Sequence, residues 1–388
     1  MLHLTRGWKV FLSIVCLIVL LIAGFVLAVF AYHHREERYN PFATSLAKPQ
    51  TMPISCPNKR FLILSVDGGG VRGVIPLYYI TQIEKMTGKP ITQSFNLLAG
   101  ISTGSIIVTT LALPGQDGQP RYSAKALSER YINDSKRIFS RPLKHQVLTL
   151  DGLIGPKYSN KGKHELFDHV YQNTRLNQLL AHVIVFGYDA VTKKVTPFCS
   201  WKGCATIGHR YPLKDIISGT TAVMGLFPSK IFLNEDQKLA HIINDVGLSI
   251  NNPSLLAYLA AKKMCPDVKS YIIVSLGTGH FPGVDKASIE IEHWGALQWL
   301  PDILKTTSED HLQISNEIMN LVMRHTRGNS KQTLTYIRIN PALAPDAANP
   351  FDANPKDIKA LIQTAKDFEQ EKSADFKQIK QILTKATP

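Results

Sequence analysis

Two glycine-framed turns limit what this chain can fold into more than any other feature of its sequence. Asp67-Gly68-Gly69-Gly70-Val71-Arg72-Gly73 and Gly100-Ile101-Ser102-Thr103-Gly104 each follow an apolar, strand-like run and each precede a helix-like one. Strand, sharp turn and helix, repeated in that order, point to an α/β domain. The run Phe61-Leu62-Ile63-Leu64-Ser65-Val66 is nearly continuous in apolar residues, as a strand buried on both faces of a parallel sheet must be. The spacing predicts a helix from Val74 to Met86 stopped by Gly88 and Pro90, a strand from Phe95 to Ala99 that delivers Ser102, and a helix from Ser105 to Leu113. Further strands are expected over 182–186, 240–244 and 271–275, and their alternation with helix-like stretches argues for a mainly parallel sheet. A loop bearing Pro341, Pro345, Pro350 and Pro355 precedes a helix in which Ile358, Leu361, Ile362, Ala365 and Phe368 follow helical spacing and should pack on the core. Residues 137–164 are basic, glycine-bearing and weakly periodic, which makes them the candidate for a mobile flap near the site.

The turns also carry chemistry. The first can aim backbone N–H groups at a developing oxyanion, and the second can project the Ser102 hydroxyl from a strand-to-helix bend, so together they predict a serine hydrolase. Gly100 and Gly104 let strand and helix approach closely while the serine takes a strained conformation. Gly68-x-Gly70-x-x-Gly73 also satisfies the dinucleotide-binding pattern. That reading wants an acidic residue about 20 positions on, at the end of the next strand, and Pro90-Ile91-Thr92-Gln93-Ser94 has none. Ser102 needs a base. Asp245, at the end of an apolar run and before Gly247, can reach a serine on a neighbouring strand end; a turn-capping aspartate is the ordinary alternative. His280, just after Ser275-Leu276-Gly277-Thr278-Gly279, would instead make a Ser-His-Asp esterase, although nothing in its spacing marks it.

Of the 388 residues 44% are hydrophobic, ample for a buried core. Residues 10–32 are broken only by Ser13 and Gly24 and would span ~35 Å as a helix, enough to cross a bilayer. Residues 1–32 are therefore read as a transmembrane anchor or a signal segment. Arg6 and Lys9 suit both, Val29-Phe30-Ala31 is a tolerable cleavage site, and the apolar length exceeds the ~7–15 residues of a signal core, which favours the anchor over secretion. Lys and Arg flank both ends, so sidedness is open. Residues 33–60, with Pro41, Pro49, Pro53 and Pro57, read as an extended tether. The net charge of +14 suits an anionic membrane surface; no zinc spacing, aromatic RNA-binding signature or long basic block supports a nucleic-acid partner. The cysteines (Cys16, Cys56, Cys199, Cys204, Cys265) are too scattered for a disulfide framework, though Cys199 and Cys204 can pair in an oxidising space.

The glycine turn 67–73, the Gly100–Gly104 turn and Asp245-Val246-Gly247 followed by Asn251-Asn252-Pro253 resemble the three motifs of the patatin-like phospholipases. Pro156-Lys157-Tyr158-Ser159, Ser218-Gly219-Thr220-Thr221-Ala222 with Phe227-Pro228, and Ser275-Leu276-Gly277-Thr278-Gly279 extend the resemblance, and Thr335-Tyr336-Ile337-Arg338-Ile339-Asn340 with the closing helix is similar to bacterial members. It runs from about Phe61 to the C-terminal helix. The resemblance implies a patatin-like three-layer α/β fold, a mainly parallel central sheet flanked by helices with a Ser–Asp dyad at strand ends. The catalytic domain would occupy residues 61–260, with 261–388 completing it. It further implies Ser102 as nucleophile and Asp245 as base, without a catalytic histidine. Gly68, Gly69, Gly70 and Arg72 would form the oxyanion hole, Gly100 and Gly104 the nucleophile elbow, and Gly247 the rest of the dyad motif. The expected activity is that of a phospholipase A or lipid acyl hydrolase on phospholipids or other acyl lipids, with no metal, no cofactor and no obligate protein partner. Val246 departs from the family's usual Asp-Gly-Gly or Asp-Gly-Ala. A backbone requiring φ > 0 there would strain valine and displace Asp245, so a catalytically impaired lipid-binding protein is the alternative.

Overall fold

Alternation along the central strands decides how the molecule is layered. In the strand Arg60–Val66, Leu62, Leu64 and Val66 enter one apolar cluster while Phe61 and Ile63 enter another. Both faces of this strand are therefore buried, and each must be covered by helices. The computed structural model describes residues 6–46, 51–204, 206–281, 295–329, 331–344, 349–351 and 353–385. Among them the strands are β1 (Ala43–Thr44), β2 (Arg60–Val66), β3 (Leu97–Ile101), β4 (His182–Asp189), β5 (Lys194–Cys199), β6 (Lys230–Leu233), β7 (Leu239–Asp245), β8 (Ser270–Leu276) and β9 (Thr333–Ile339).

They form one sheet in the order β1-β6-β7-β4-β3-β2-β8-β9, with β5 paired to β4 off that path. From β4 through β3, β2 and β8 to β9 every pairing is parallel. Helices Val74–Thr87, Thr103–Leu111 and Pro355–Glu371 bury Ile75, Ile107 and Leu361 on one face; helix Ser254–Met264 buries Ala257, Tyr258 and Ala261 on the other. The chain thus has the expected three-layer arrangement, helices on both sides of a mainly parallel sheet.

The expected elements are present with shifted ends. β3 begins two residues late because Asn96 exchanges hydrogen bonds with Leu62 and so caps the strand: its side chain accepts from Leu62 N at 2.7 Å, and its own N–H reaches Leu62 O at 2.8 Å. The helix predicted to start at Val74 closes at Gly88, which adopts a left-handed φ of 66°. β7 is antiparallel, because the turn at Asn234–Lys238 folds it into a hairpin with β6. Pro345, part of the expected proline loop, lies outside the described residues.

The segment read as a tether is docked instead. Helix Arg6–Glu37 runs through its first residues, β1 pairs in parallel with β6, Met52 N–H reaches Ser200 O at 2.7 Å, and Cys56 is bonded to Cys265. The prolines keep this stretch extended, and an extended chain offers its edge to a sheet; Pro49 lies outside the described residues. Cys199 and Cys204 also pair. Among the described residues the one free cysteine is Cys16, in the N-terminal helix, so the disulfide framework discounted from sequence is present in small form. The N-terminal helix holds one candidate membrane span, Val10–Glu37, whose apolar window is not buried against the rest of the chain.

The Cys56–Cys265 bond closes a separation of 209 residues. Cys56→Ser should destabilise the fold by about 2–4 kcal/mol, read from the denaturant midpoint. Thiol titration of the unfolded, unreduced chain should find one thiol, that of Cys16; a titre equal to the full cysteine count would refute the pairing.

Candidate active site

β4 is the template on which the site is assembled. β5 occupies one of its edges from Ile184 to Asp189. β3 runs parallel to β4 and ends with Ile101 opposite Phe186, while β7 arrives antiparallel with Asp245 opposite Gly187. Both overlap the stretch already paired to β5, so both lie on the other edge and meet end to end. The residue after Ile101 is Ser102. Its Oγ donates a hydrogen bond to Asp245 Oδ2.

The bend at Ser102 is strained. Its φ of 52° and ψ of −121° lie outside the ordinary regions for a side-chain-bearing residue, a cost of roughly 1–3 kcal/mol held in place by the surrounding structure. The two flanking glycines permit it by close approach. A Cβ on Gly100 would sit 2.4 Å from the Gly104 carbonyl carbon, and one on Gly104 would sit 2.2 Å from Val66 O. Helix Thr103–Leu111 then starts at once, with Ser105 N–H donating to Ser102 O at 2.9 Å.

Asp245 is buried. Its N–H donates to Ala222 O at 2.9 Å, and its Oδ1 accepts from Gly247 N–H at 2.7 Å, which leaves Oδ2 facing Ser102. Burial raises its pKa from 3.8 to about 6, against the lowering effect of the Ser102 and Gly247 hydrogen bonds and of the nearby Lys163 charge. Val246 is not at positive φ; its side chain is buried in the cluster that contains Ile101 and Phe186. The strain expected of valine is therefore absent, and the side chain serves the core beneath Ser102 and Asp245.

The glycine turn lies over the pair. A Cβ on Gly68 would fall 3.1 Å from Ser102 Cβ, and one on Gly70, at φ +57°, would strike Pro350 O at 1.8 Å. Gly68 N–H is taken by Asn251 O at 3.2 Å and Arg72 N–H by Gly69 O at 3.1 Å. Among the described residues the amides of Gly69 and Gly70 have no acceptor, so of the expected oxyanion donors these two are the ones at liberty. The Arg72 guanidinium is buried over the Phe281 ring at 5.6 Å and 3.9 Å from Glu309 Oε1, and its partners among the described residues do not include Ser102 or Asp245. The His280 ring faces the Asn340 amide at 3.3 Å; the partner of Ser102 is Asp245.

Four residues to which the sequence reading gave no role support this arrangement. Asp67 and Arg338 form a buried two-pronged ion pair that ties the glycine turn to β9. Tyr131 donates to Gly70 O at 2.8 Å and meets Thr103 Oγ1, joining the glycine turn to the elbow. Lys163 is fully buried, its Nζ donating to Ser218 O at 2.9 Å and Thr221 O at 3.1 Å and lying 4.6 Å from the centre of the Phe227 ring. Its pKa falls from 10.5 to about 7 through burial, opposed by Asp245. One signal was available: Lys163 shares the apolar stripe of helix Lys161–Tyr171 with Leu166, Phe167 and Val170. No group of three or more metal-ligating side chains occurs among the described residues.

Comparison with known proteins agrees with these motifs. A family model described as patatin-like phospholipase matches residues 64–258, from β2 through helix Ser254–Met264. Patatin-like protein 1 of Arabidopsis thaliana is 29% identical over 320 residues, covering 74% of this chain and 76% of the relative. Patatin-like protein 2 of the same plant is 28% identical over 335 residues, covering 78% and 81%. Among solved structures, VipD from Legionella pneumophila covers 87% of this chain and 71% of its own at 12% identity, with a TM-score of 0.35, too low to carry weight.

A carboxyl with a pKa near 6 must be deprotonated to accept a proton from Ser102, so in any reaction that uses Asp245 as its base kcat/KM should fall as pH drops through about 6 rather than near the ordinary carboxylate value. The Lys163 charge lowers the Asp245 pKa, so Lys163→Met should move that acid limb to higher pH. A limb that stays in place in this variant would show that the lysine does not act on Asp245.

Proposed function

This chain belongs to the patatin-like phospholipase family, and on that premise we propose that it is a lipid acyl hydrolase cleaving fatty-acyl esters of phospholipids, with Ser102 as nucleophile and Asp245 as its base. The observation that carries this reading is the hydrogen bond from the strained Ser102 hydroxyl to a buried carboxylate whose pKa is pushed up to about 6. Such a group is a stronger base than an exposed aspartate yet is still ionised at neutral pH.

In the first half-reaction Ser102 Oγ attacks the acyl carbonyl as Asp245 Oδ2 takes its proton. The carbonyl oxygen becomes an oxyanion facing the free Gly69 and Gly70 amides. Collapse breaks the ester bond, Asp245 returns the proton to the departing lysolipid alkoxide, and the acyl group stays on Ser102. Water then attacks the acyl-serine, Asp245 takes its proton, and collapse releases the fatty acid while Ser102 Oγ recovers that proton. The reading of the chain as an impaired lipid-binding protein rested on strain at Val246, and its backbone lies outside the positive-φ region.

The same reading places the enzyme at a membrane. The helix Arg6–Glu37 passes without a break through the sequence that would be cleaved, Val29-Phe30-Ala31, which favours an anchor. Both disulfides lie in the domain that follows, and such bonds persist in oxidising compartments. The catalytic domain accordingly sits on the oxidising side of the bilayer.

Fatty-acid release from phospholipid vesicles in chelator-containing buffer tests the chemistry. Ser102→Ala and Asp245→Ala should each lower release at least about a thousandfold. Activity that survives Asp245→Ala but is lost in His280→Ala would overturn the dyad in favour of a triad.

A further inference from the structure

Part of the segment between residues 137 and 164 is built to face outward with apolar side chains. Leu143 and Leu153 are 75% and 76% exposed, and Val147, Leu150 and Ile154 are exposed with them. Leu143 and Val147 sit one turn apart on helix Leu143–Leu148, and the exposed stripe continues through the turn Leu150–Gly152, where Leu150 and Asp151 leave helical backbone at φ 47° and 52°. The opposite face is fixed, not loose. His145 and Thr149 are buried, and the His145 ring bonds Pro156 O through Nε2 and Tyr32 OH through Nδ1, both at 2.9 Å. A rigid stripe of this kind is a liability in water unless something covers it.

The N-terminal helix identifies the cover. Tyr32 bonds His145, the His33 ring lies against Gly155, and Glu36 accepts from Ser159 Oγ at 2.8 Å. These contacts fall within about 6 Å of helix axis at 1.5 Å per residue, immediately beyond the apolar run that ends at Tyr32. Tyrosines at that position mark the membrane–water boundary. The stripe is thus held at the depth where the apolar helix leaves the acyl region. Lys144 lies near the Tyr32 ring and Arg141 pairs with Asp151 at 3.1 Å, placing cations where lipid headgroups would be.

We propose that residues 143–154 form a second membrane contact, inserting Leu143, Val147, Leu150, Leu153 and Ile154 into the leaflet from which the N-terminal helix emerges. This rests on reading that helix as a membrane anchor. The contact is also joined to the site by packing. Tyr158, just beyond the stripe, stacks on Phe227 with ring centres 5.4 Å apart and bonds Phe351 O at 2.8 Å; the preceding Pro350 O accepts Val71 N–H at 2.8 Å and covers Gly70.

The test uses the full chain in vesicles of phosphatidylethanolamine and phosphatidylglycerol. Leu153→Cys in a Cys16→Ala background carries an environment-sensitive fluorophore. Insertion predicts quenching by lipids bearing a nitroxide on the acyl chain and protection from aqueous iodide. Quenching by iodide alone overturns the proposal, and protection from both quenchers overturns it in favour of a protein partner. In a second arm, Leu143→Ser combined with Leu153→Ser should lower vesicle hydrolysis about tenfold or more while leaving a soluble short-chain ester unaffected. Equal loss on both substrates would mean a folding defect and would count against the proposal. Absence of hydrolysis by the wild-type chain would refute the enzymatic reading, while the quenching result would still decide whether the segment inserts.

Discussion

Everything at this site follows from two strands sharing one edge of β4. β3 runs with β4 and β7 runs against it, so the two approach each other head-on, and their last residues pair with adjacent positions, Phe186 and Gly187. A serine that leaves one strand end and an aspartate that closes the other are then neighbours by backbone registry, before any side-chain preference is considered. Sequence separation becomes irrelevant: Ser102 and Asp245 are 143 positions apart in the chain, yet the sheet places them in contact. The antiparallel sense of β7 is indispensable to this arrangement, and it comes from the β6–β7 hairpin rather than from anything at the site.

Around this pair, polar groups have been buried where each is held by a specific partner. Arg338 and Asp67 neutralise one another beneath the glycine turn, and Tyr131 spans two turns with one hydroxyl. Lys163 satisfies two carbonyls at the end of helix Leu213–Thr220, next to Ala222, whose carbonyl orients the Asp245 backbone. Groups of this kind cost a great deal when unpaired and little when fully bonded. They fix positions that apolar packing alone would leave soft.

The central strands and both turns could be read from the sequence because a strand buried on two faces is almost wholly apolar and a sharp turn leaves glycine behind. β2, β3, β4 and β8 carried that signal. β5 did not, since it contains Pro197 and is only half buried, and β1 is two residues long. The direction of β7 was hidden because period-two patterning carries no sign for strand sense. The docking at Ala43, Met52 and Cys56 was hidden for a different reason: prolines announce extended backbone and say nothing about whether a neighbouring edge is vacant. At the site, Ser102 and Asp245 stood out in their motifs, whereas the contacts of Arg338, Tyr131 and Lys163 did not, because they are made across elements far apart in the chain.

The glycine turn takes its fixed points from the far end of the polypeptide: Asp67 from Arg338, Val71 from Pro350. A chain emerging from its N-terminus presents Ser102 early and Asp245 midway, but these two supports of the turn cannot form until β9 and the loop after it have been made and paired. Order of synthesis thus leaves the turn among the last parts of the site to be fully braced.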